Sequence, residues 1–341
     1  MEEGSLNETD WFCFYFKPNP NCSPLRKSTL YRIERICSAS QAYSYGLFSA
    51  ALVFGLPGSI FALILVGRLP LKPSTLYIRL LAASDFVALF SASLTYYKIV
   101  NNGDMTHSDD FLKWFGRIFQ CFSHWLLVLI CLERFVAIRY PLHKARLYTM
   151  QTTYLTCIAA LFISSVHFIL IALDKTKAIE SDKYKFYVIM FFLSIYIFVP
   201  MLLIILFTTL ATVEVRRSRG RRQTIVASGS SSLASKLEAE ITRIMFLTAL
   251  SFVLLTLPML LYHLFDRIDS YWLHIELCPV DLAVTTLVFY ICASLSYLNH
   301  AVNFYIYILG APGFRQQFLI LLCGKAREGT NTEATDVSQR S

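Results

Sequence analysis

Asp85 stands in Leu-Ala-Ala-Ser-Asp, in the middle of a long apolar run. A charge inside a bilayer costs several kcal/mol, so such an acid needs a reason. Either it is protonated or bonded to a neighbouring helix, or it marks an ion site or a conformational switch. Arg134 closes another apolar run, in Leu-Glu-Arg-Phe-Val-Ala-Ile-Arg-Tyr-Pro-Leu. Alone it reads as a cation reaching back to the interface. Asn299, His300 and Asn303 cluster in a third run, followed by Tyr305 and Tyr307. Amides there can bond freed backbone or bind water. Arg117, in Trp-Phe-Gly-Arg-Ile-Phe-Gln-Cys, lies more than four helical turns before Arg134. A guanidinium at that level can hold a carboxylate in a planar fork. It can equally snorkel to the interface, or pair with Asp110 or Asp281. None of these sets is a nucleophile elbow, a phosphate loop or a metal cluster, and the seven His are scattered. The chemistry on offer is ion pairing and switching, so no enzyme is expected.

The elements that must hold these residues are read from composition. Of 341 residues, 55% are hydrophobic and 16% charged, against about 25% charged in a soluble domain. That excludes a soluble enzyme, a disordered chain and a small disulfide scaffold. A bilayer core takes about 20 mostly apolar residues per helix. Seven runs meet this: Ala39–Val66, Thr75–Ile99, Asp110–Ile138, Thr152–Leu173, Tyr184–Val213, Ile241–Phe265 and Pro279–Leu309. Strand alternation is absent, which excludes a β-barrel. The expected fold is therefore all-α, a seven-transmembrane helix bundle. Gly313–Leu322 is amphipathic and too short to span, and is expected to lie in the interface as an eighth helix. Residues 1–38 are expected to form an N-terminal segment without a signal peptide, 39–323 the bundle, and 324–341 a tail.

An odd number of spans puts the termini on opposite sides, and basic loops face inward. The longest loop, from Glu214 to about Glu240, carries Arg-Arg-Ser-Arg-Gly-Arg-Arg and then a Ser/Gly-rich stretch. That places it inside and the N-terminus outside. Lys175, Lys177, Lys183 and Lys185 weaken the contrast, partly balanced by Asp174, Glu180 and Asp182. Asn7-Glu8-Thr9 is a glycosylation acceptor and agrees with an outside N-terminus. The net charge of +8 suits anionic lipid, and no soluble basic face offers itself to nucleic acid. Cys323 ends the amphipathic stretch as a palmitoylation candidate.

Seven spans, the acid in the second, Glu133-Arg134-Phe135 ending the third and Asn303-Phe304-Tyr305-Ile306-Tyr307 ending the seventh resemble a rhodopsin-like (class A) G-protein-coupled receptor. Pro200 and Pro258 match the prolines of that family's fifth and sixth helices. The Leu69–Tyr77 run together with Asn-Phe-x-x-Tyr resembles invertebrate neuropeptide receptors of the FMRFamide-receptor type. Several positions depart from the family. Ser59 replaces the first-helix Asn, Thr256 the sixth-helix Trp and Thr208 the fifth-helix Tyr. The fourth-helix Trp is missing. Asp109 stands where the family has its third-helix disulfide Cys, and the loop from Asp174 to Tyr187 has no Cys either.

The resemblance implies roles. Glu133, Arg134, Glu238, Pro258, Asn303 and Tyr307 would form the inner-face switch, with Glu238 either pairing with Arg134 or simply solvated. Asp85, Ser123, Asn299 and Asn303 would form a sodium pocket or, with His300 filling it, a watery polar network. Arg117, Gln120, Tyr96, Tyr97, Tyr262, His263, Asp266, Phe289 and Tyr297 would line the ligand pocket, though the aromatics suit an interface belt equally. Cys37 and Cys278 would be bridged, as in chemokine receptors, and Cys13 could pair with Cys22. Cofactors are none, or a sodium ion. Partners would be an extracellular ligand, with a peptide favoured, a heterotrimeric G protein, and arrestin and a receptor kinase, at the plasma membrane. The rival within the fold is a chemosensory or orphan receptor for a small molecule or lipid. A seven-helix hydrolase would need a His/Asp metal cluster, and a retinal pump a Lys in Pro279–Leu309; neither is in the sequence.

Overall fold

The structure, a computed structural model, describes residues 27–102, 107–175, 190–191, 193–225, 232–269, 278–310 and 312–323. Among them the regular structure is helical. In chain order the helices are α1 (Lys27–Gly67), α2 (Pro73–Asn102), α3 (His107–Arg139), α4 (Pro141–Leu147), α5 (Met150–Lys175), α6 (Val199–Ile225), α7 (Ser232–Ile268), α8 (Pro279–Gly310) and α9 (Pro312–Cys323). Six of them are long and apolar enough to cross a membrane: α1, α2, α3, α6, α7 and α8. In α5 the described apolar part is Met150–Val166. With α5 as the fourth, these are the seven spans of an all-α bundle.

Boundaries differ from the sequence reading in informative places. α1 begins twelve residues before Ala39, because Lys27–Cys37 continues the helix with exposed polar residues such as Arg32 and Glu34. The inner loop expected from Glu214 to Glu240 is largely helix: α6 runs on to Ile225 and α7 starts at Ser232. Arg, Gln, Lys, Leu, Glu and Ala are good helix formers, so the spans extend past the apolar limit. The short α4, with Pro141 at its first turn, had no signal in hydropathy. The amphipathic stretch forms α9, as its pattern suggests.

Local chemistry fixes the ends. Arg79 on α2 donates to the carbonyls of Val66, Gly67 and Leu69 at 3.1, 3.2 and 2.6 Å, satisfying the last turn of α1. The Thr75 hydroxyl accepts from Lys72 N–H at 2.8 Å where α2 begins. Thr149 does the same for Thr152 N–H at 3.3 Å, opening α5.

Packing then sets the order of the bundle. The main core runs along α3 and is filled by Tyr77, Leu126, Leu127, Ile204 and Phe252. A second contact joins α1 to α8. There a side chain at Gly55 would meet Leu89 Cδ1 at 2.5 Å and Ala301 Cβ at 2.8 Å, so only glycine lets α1, α2 and α8 approach this closely. Large apolar side chains such as Phe54, Phe162 and Leu254 are exposed. In a water-soluble protein that would be a liability; around a bundle it is the surface lipid covers.

α6 is preceded by one π turn, Ser194–Phe198, closed by Val199 N–H donating to Ser194 O. The α-type donor to one of its carbonyls would be residue 200, a proline without an N–H. That carbonyl, Tyr196 O, is used at the site described next.

Candidate functional site

Two polar regions interrupt the apolar bundle. The first, toward the N-terminal end of α3 and expected to face outward, is a cavity of about 350 Å³ between α1, α2, α3, α7 and α8. One wall is aromatic: Phe48 packs on Tyr96 and Tyr297 with ring centroids 4.9 and 5.2 Å apart. The facing wall is α3, which turns Lys113, Gly116, Arg117 and Gln120 toward the space. A side chain at Gly116 would meet Ser91 Cβ at 2.9 Å, so the glycine keeps α2 and α3 close beside the two cations. Tyr196 O–H donates to Gln120 Oε1 at 2.8 Å, and both side chains are buried in the cavity wall. Among the described residues Arg117 forms no ion pair, and those that line the cavity include no Asp or Glu. Asp281 is exposed and does not line it, and the Asp110 side chain lies outside the described residues.

Of the residues expected there, Arg117, Gln120, Tyr96, His263, Phe289 and Tyr297 line the cavity. Tyr97 does not: it is 67% exposed, because neighbours on a helix point about 100° apart and Tyr96 takes the inward direction. Tyr262 stands behind the wall, its ring 5.3 Å from Phe289. Asp266 is one turn too far out to line the space. Sequence reading missed Lys113, Tyr196, Met259 and Tyr290. Lys113 had a signal, since it is one turn before Arg117 on the same face. Tyr196 had none, because its direction depends on the π turn.

The inner region centres on Asp85, which is 1% exposed. Its Oδ1 accepts from Ser123 Oγ at 2.6 Å and faces His300 Nδ1 at 2.8 Å; its Oδ2 accepts from Asn303 Nδ2 at 2.8 Å. Helices α2, α3 and α8 are thereby tied at one carboxylate. His300 packs face to face on His124, with centroids 5.6 Å apart and planes at 11°. His124 is held through Nδ1 by Tyr196 O at 2.9 Å and lies edge-on to Phe252. Asn299 is fully buried but makes no bond to Asp85; neither of its amide atoms has a protein partner among the described residues. Beside Asp85 is a space of about 10 Å³, bounded in part by Ala62, Leu81, Ala82 and Phe304. That is room for one water.

This donor set does not fit the sodium ion expected there. A hard cation collects oxygen lone pairs, whereas both Asp85 oxygens face hydrogen-bonding groups of the protein. Of the other polar groups lining the space, His300 presents nitrogen, which leaves the hydroxyls of Ser59 and Tyr307 and the amide oxygen of Asn303. Thr256, at the position of the family's Trp, is fully buried and returns its hydroxyl to Phe252 O.

At the inner end of α3, Glu133 is 1% exposed while Arg134 is part-buried. Arg134 Nε lies 3.9 Å from Glu133 Oε2, and Lys144 Nζ on α4 lies 3.1 Å from Glu133 Oε1. The Lys144 contact is an ion pair without hydrogen-bond geometry, so both carboxylate oxygens remain unbonded. One turn on, Arg139 pairs with Glu214 of α6 at 3.2 Å. Tyr307 of α8 lines the small space beside Asp85. Thr208 Oγ1 reaches Cys131 Sγ at 3.7 Å, joining α6 to α3. Pro258 sits inside α7, where it removes one ladder bond. Glu238 is on α7, but its side chain lies outside the described residues, as does that of Cys323 on α9.

Cys37 and Cys278 are both disulfide-bonded. Cys121, Cys131, Cys157 and Cys292 are free and buried. Asn7, Cys13, Cys22, the loop lysines from Lys177 to Lys185 and the 324–341 tail lie outside the described residues.

Comparison with known proteins adds two findings. The family model "7 transmembrane receptor (rhodopsin family)" matches residues 58–307, more than half of the chain. Proteinase-activated receptor 1 of Xenopus laevis is 24% identical over 220 residues, which cover 57% of this chain and 51% of that protein. The chain thus spans about half the length of this curated relative.

Proposed function

Because the chain belongs to the rhodopsin family of seven-transmembrane receptors, we propose that it binds an extracellular peptide and activates a heterotrimeric G protein. The family is one of receptors, not enzymes, and its members are multi-pass membrane proteins. The observation that carries the reading is on α3. One helix presents Arg117 to a cavity near one end and Arg134, in a three-residue charge cluster, at the other. At 1.5 Å per residue these lie about 25 Å apart.

The mechanism is a shift in population between two packings. Ligand in the outer cavity favours the packing in which α7 swings away around Pro258. Arg134 leaves its resting contacts, including one to Glu238, and a cleft bordered by Thr208 and Tyr307 opens to the G protein. Arrestin and a receptor kinase would bind the same inner face. The N-terminus is outside, glycosylated at Asn7, and Cys323 carries a palmitoyl group. Cys37 is bridged to Cys278, pinning the outer end of α1 to that of α8. A peptide ligand is favoured by the resemblance of Leu69–Tyr77 and Asn-Phe-x-x-Tyr to FMRFamide-type receptors. Arg117, with no Asp or Glu among the described residues lining the cavity, favours a ligand group that is a carboxylate.

A screen decides this. Cells expressing the chain are exposed to amidated and free-acid neuropeptides while calcium and cyclic AMP are read. A response that Arg134→Ala removes, with surface expression and ligand binding kept, supports the reading. Responses that survive Arg134→Ala at full size count against it.

A further inference from the structure

We propose that the His300 imidazole occupies the cation position beside Asp85, so that this bundle is closed by an internal side chain and takes no sodium ion. The inference does not depend on the nature of the ligand.

Four observations carry it. The Asp85 carboxylate is buried and meets a protein group at each oxygen, with Ser123 and His300 sharing Oδ1 and Asn303 on Oδ2. Oδ1 is thus engaged twice, and the imidazole nitrogen stands on the face of the carboxylate that a cation would share with Ser123. The remaining space of about 10 Å³ is room for one water, so an ion there would take its ligands from the walls, where His300 supplies nitrogen. His300 cannot swing aside alone, because His124 lies flat against it and is itself fixed to Tyr196 O. Finally, Asn299, the other amide at this level, makes no bond to the carboxylate. The cluster around the carboxylate is closed without its oxygen.

Size explains how one residue does this. A serine at 300 would leave the volume of a ring empty and offer a hydroxyl oxygen. The imidazole fills that volume and presents nitrogen instead, which suits borderline metals and not an alkali ion. The tie between α2, α3 and α8 that a sodium ion would supply is made here by covalently attached groups. It is present whatever the ionic composition outside.

The test uses the purified full-length protein in detergent. Thermal unfolding is compared in about 150 mM sodium chloride and in equal N-methyl-D-glucamine chloride, so that ionic strength is constant. The wild-type midpoints should agree within about 1 °C. His300→Ser should gain a dose-dependent rise in sodium of roughly 2–4 °C, and Asp85→Asn added to it should abolish that gain. A sodium-dependent rise in the wild type overturns the proposal. So does a His300→Ser protein indifferent to sodium, or a gain that persists without the Asp85 charge. Should His300→Ser yield no folded protein, the wild-type titration followed by ²³Na line broadening decides: concentration-dependent broadening beyond that of Asp85→Asn overturns it, and its absence supports it.

Discussion

Arg117 looks into about 350 Å³ of cavity with no ion-pair partner among the described residues, whereas Asp85 has partners on both oxygens and about 10 Å³ beside it. Both are charges in one apolar bundle. The first is set among aromatic rings that leave room, on a wall with a second cation. The second is packed on every side by polar groups from two other helices and by a stacked pair of imidazoles. A charge left with space is a site for something that arrives; a charge closed by its own neighbours is a fastening. The distinction is one of burial: Asp85 is desolvated and needs the partners the chain supplies, whereas Arg117 is exposed at the cavity and keeps its charge accessible.

The strongest way to break the contrast is to remove the fastening. Asp85→Ala leaves His300, Ser123 and Asn303 without their shared acceptor, and should cost about 3–5 kcal/mol of stability. Thermal unfolding of the purified protein measures it; a loss below about 1 kcal/mol would mean the cluster is not what joins the three helices.

The rim around the cavity comes next. If Cys37 and Cys278 are bridged to each other, peptide mapping without reduction recovers them in one fragment, and Cys278→Ser loses about 2–4 kcal/mol. Recovery of either in a fragment with Cys13 or Cys22 removes that tie.

Arg117→Gln keeps donors but deletes the charge. An acidic agonist should weaken about 30- to 150-fold, or about 2–3 kcal/mol, with a neutral one little changed. Arg117→Lys should recover only part, because an ammonium lacks the planar fork. Equal potency across the three proteins at equal surface expression would make Arg117 a structural charge and erase the contrast.

The smallest effect belongs to the inner face. Glu238→Ala should raise basal signalling by about 5- to 30-fold, equivalent to about 1–2 kcal/mol of bias toward the open packing. Unchanged basal signalling in a well-expressed variant would leave Arg134 held only by its α3 neighbour Glu133.

Much of this was legible in the residues. Hydropathy placed all seven spans, because an apolar stretch long enough to cross has few alternatives. The meeting of Asp85 with Ser123 and Asn303 was legible through the family resemblance, which groups those positions on three helices. The direction of a side chain was less so. Tyr96 and Tyr97 are indistinguishable in sequence, yet one lines the cavity and the other faces outward. The helical extensions around the third inner loop were hidden, since charge there hides helix propensity from a hydropathy reading. The His124–His300 stack was not legible at all: it joins residues on α3 and α8 that no local pattern connects. Its anchor depends on the π turn, which is a feature of winding rather than of composition.

That turn has a consequence for insertions and deletions. A single π turn accommodates one residue more than an α-helix would, without altering the faces that the flanking segments present. Removing Ile197 should therefore leave a continuous, membrane-spanning helix from Leu193 into α6, with Pro200 and Thr208 on their present sides. What it would change is the partner of the Tyr196 carbonyl. Tyr196 O would be recaptured by the ordinary ladder, and His124 would lose the bond that holds it flat against His300. A deletion scan through 194–198 would thus yield proteins that reach the cell surface intact while the two halves of the molecule no longer share a rigid joint. Length, at this one place, is information that no substitution can imitate.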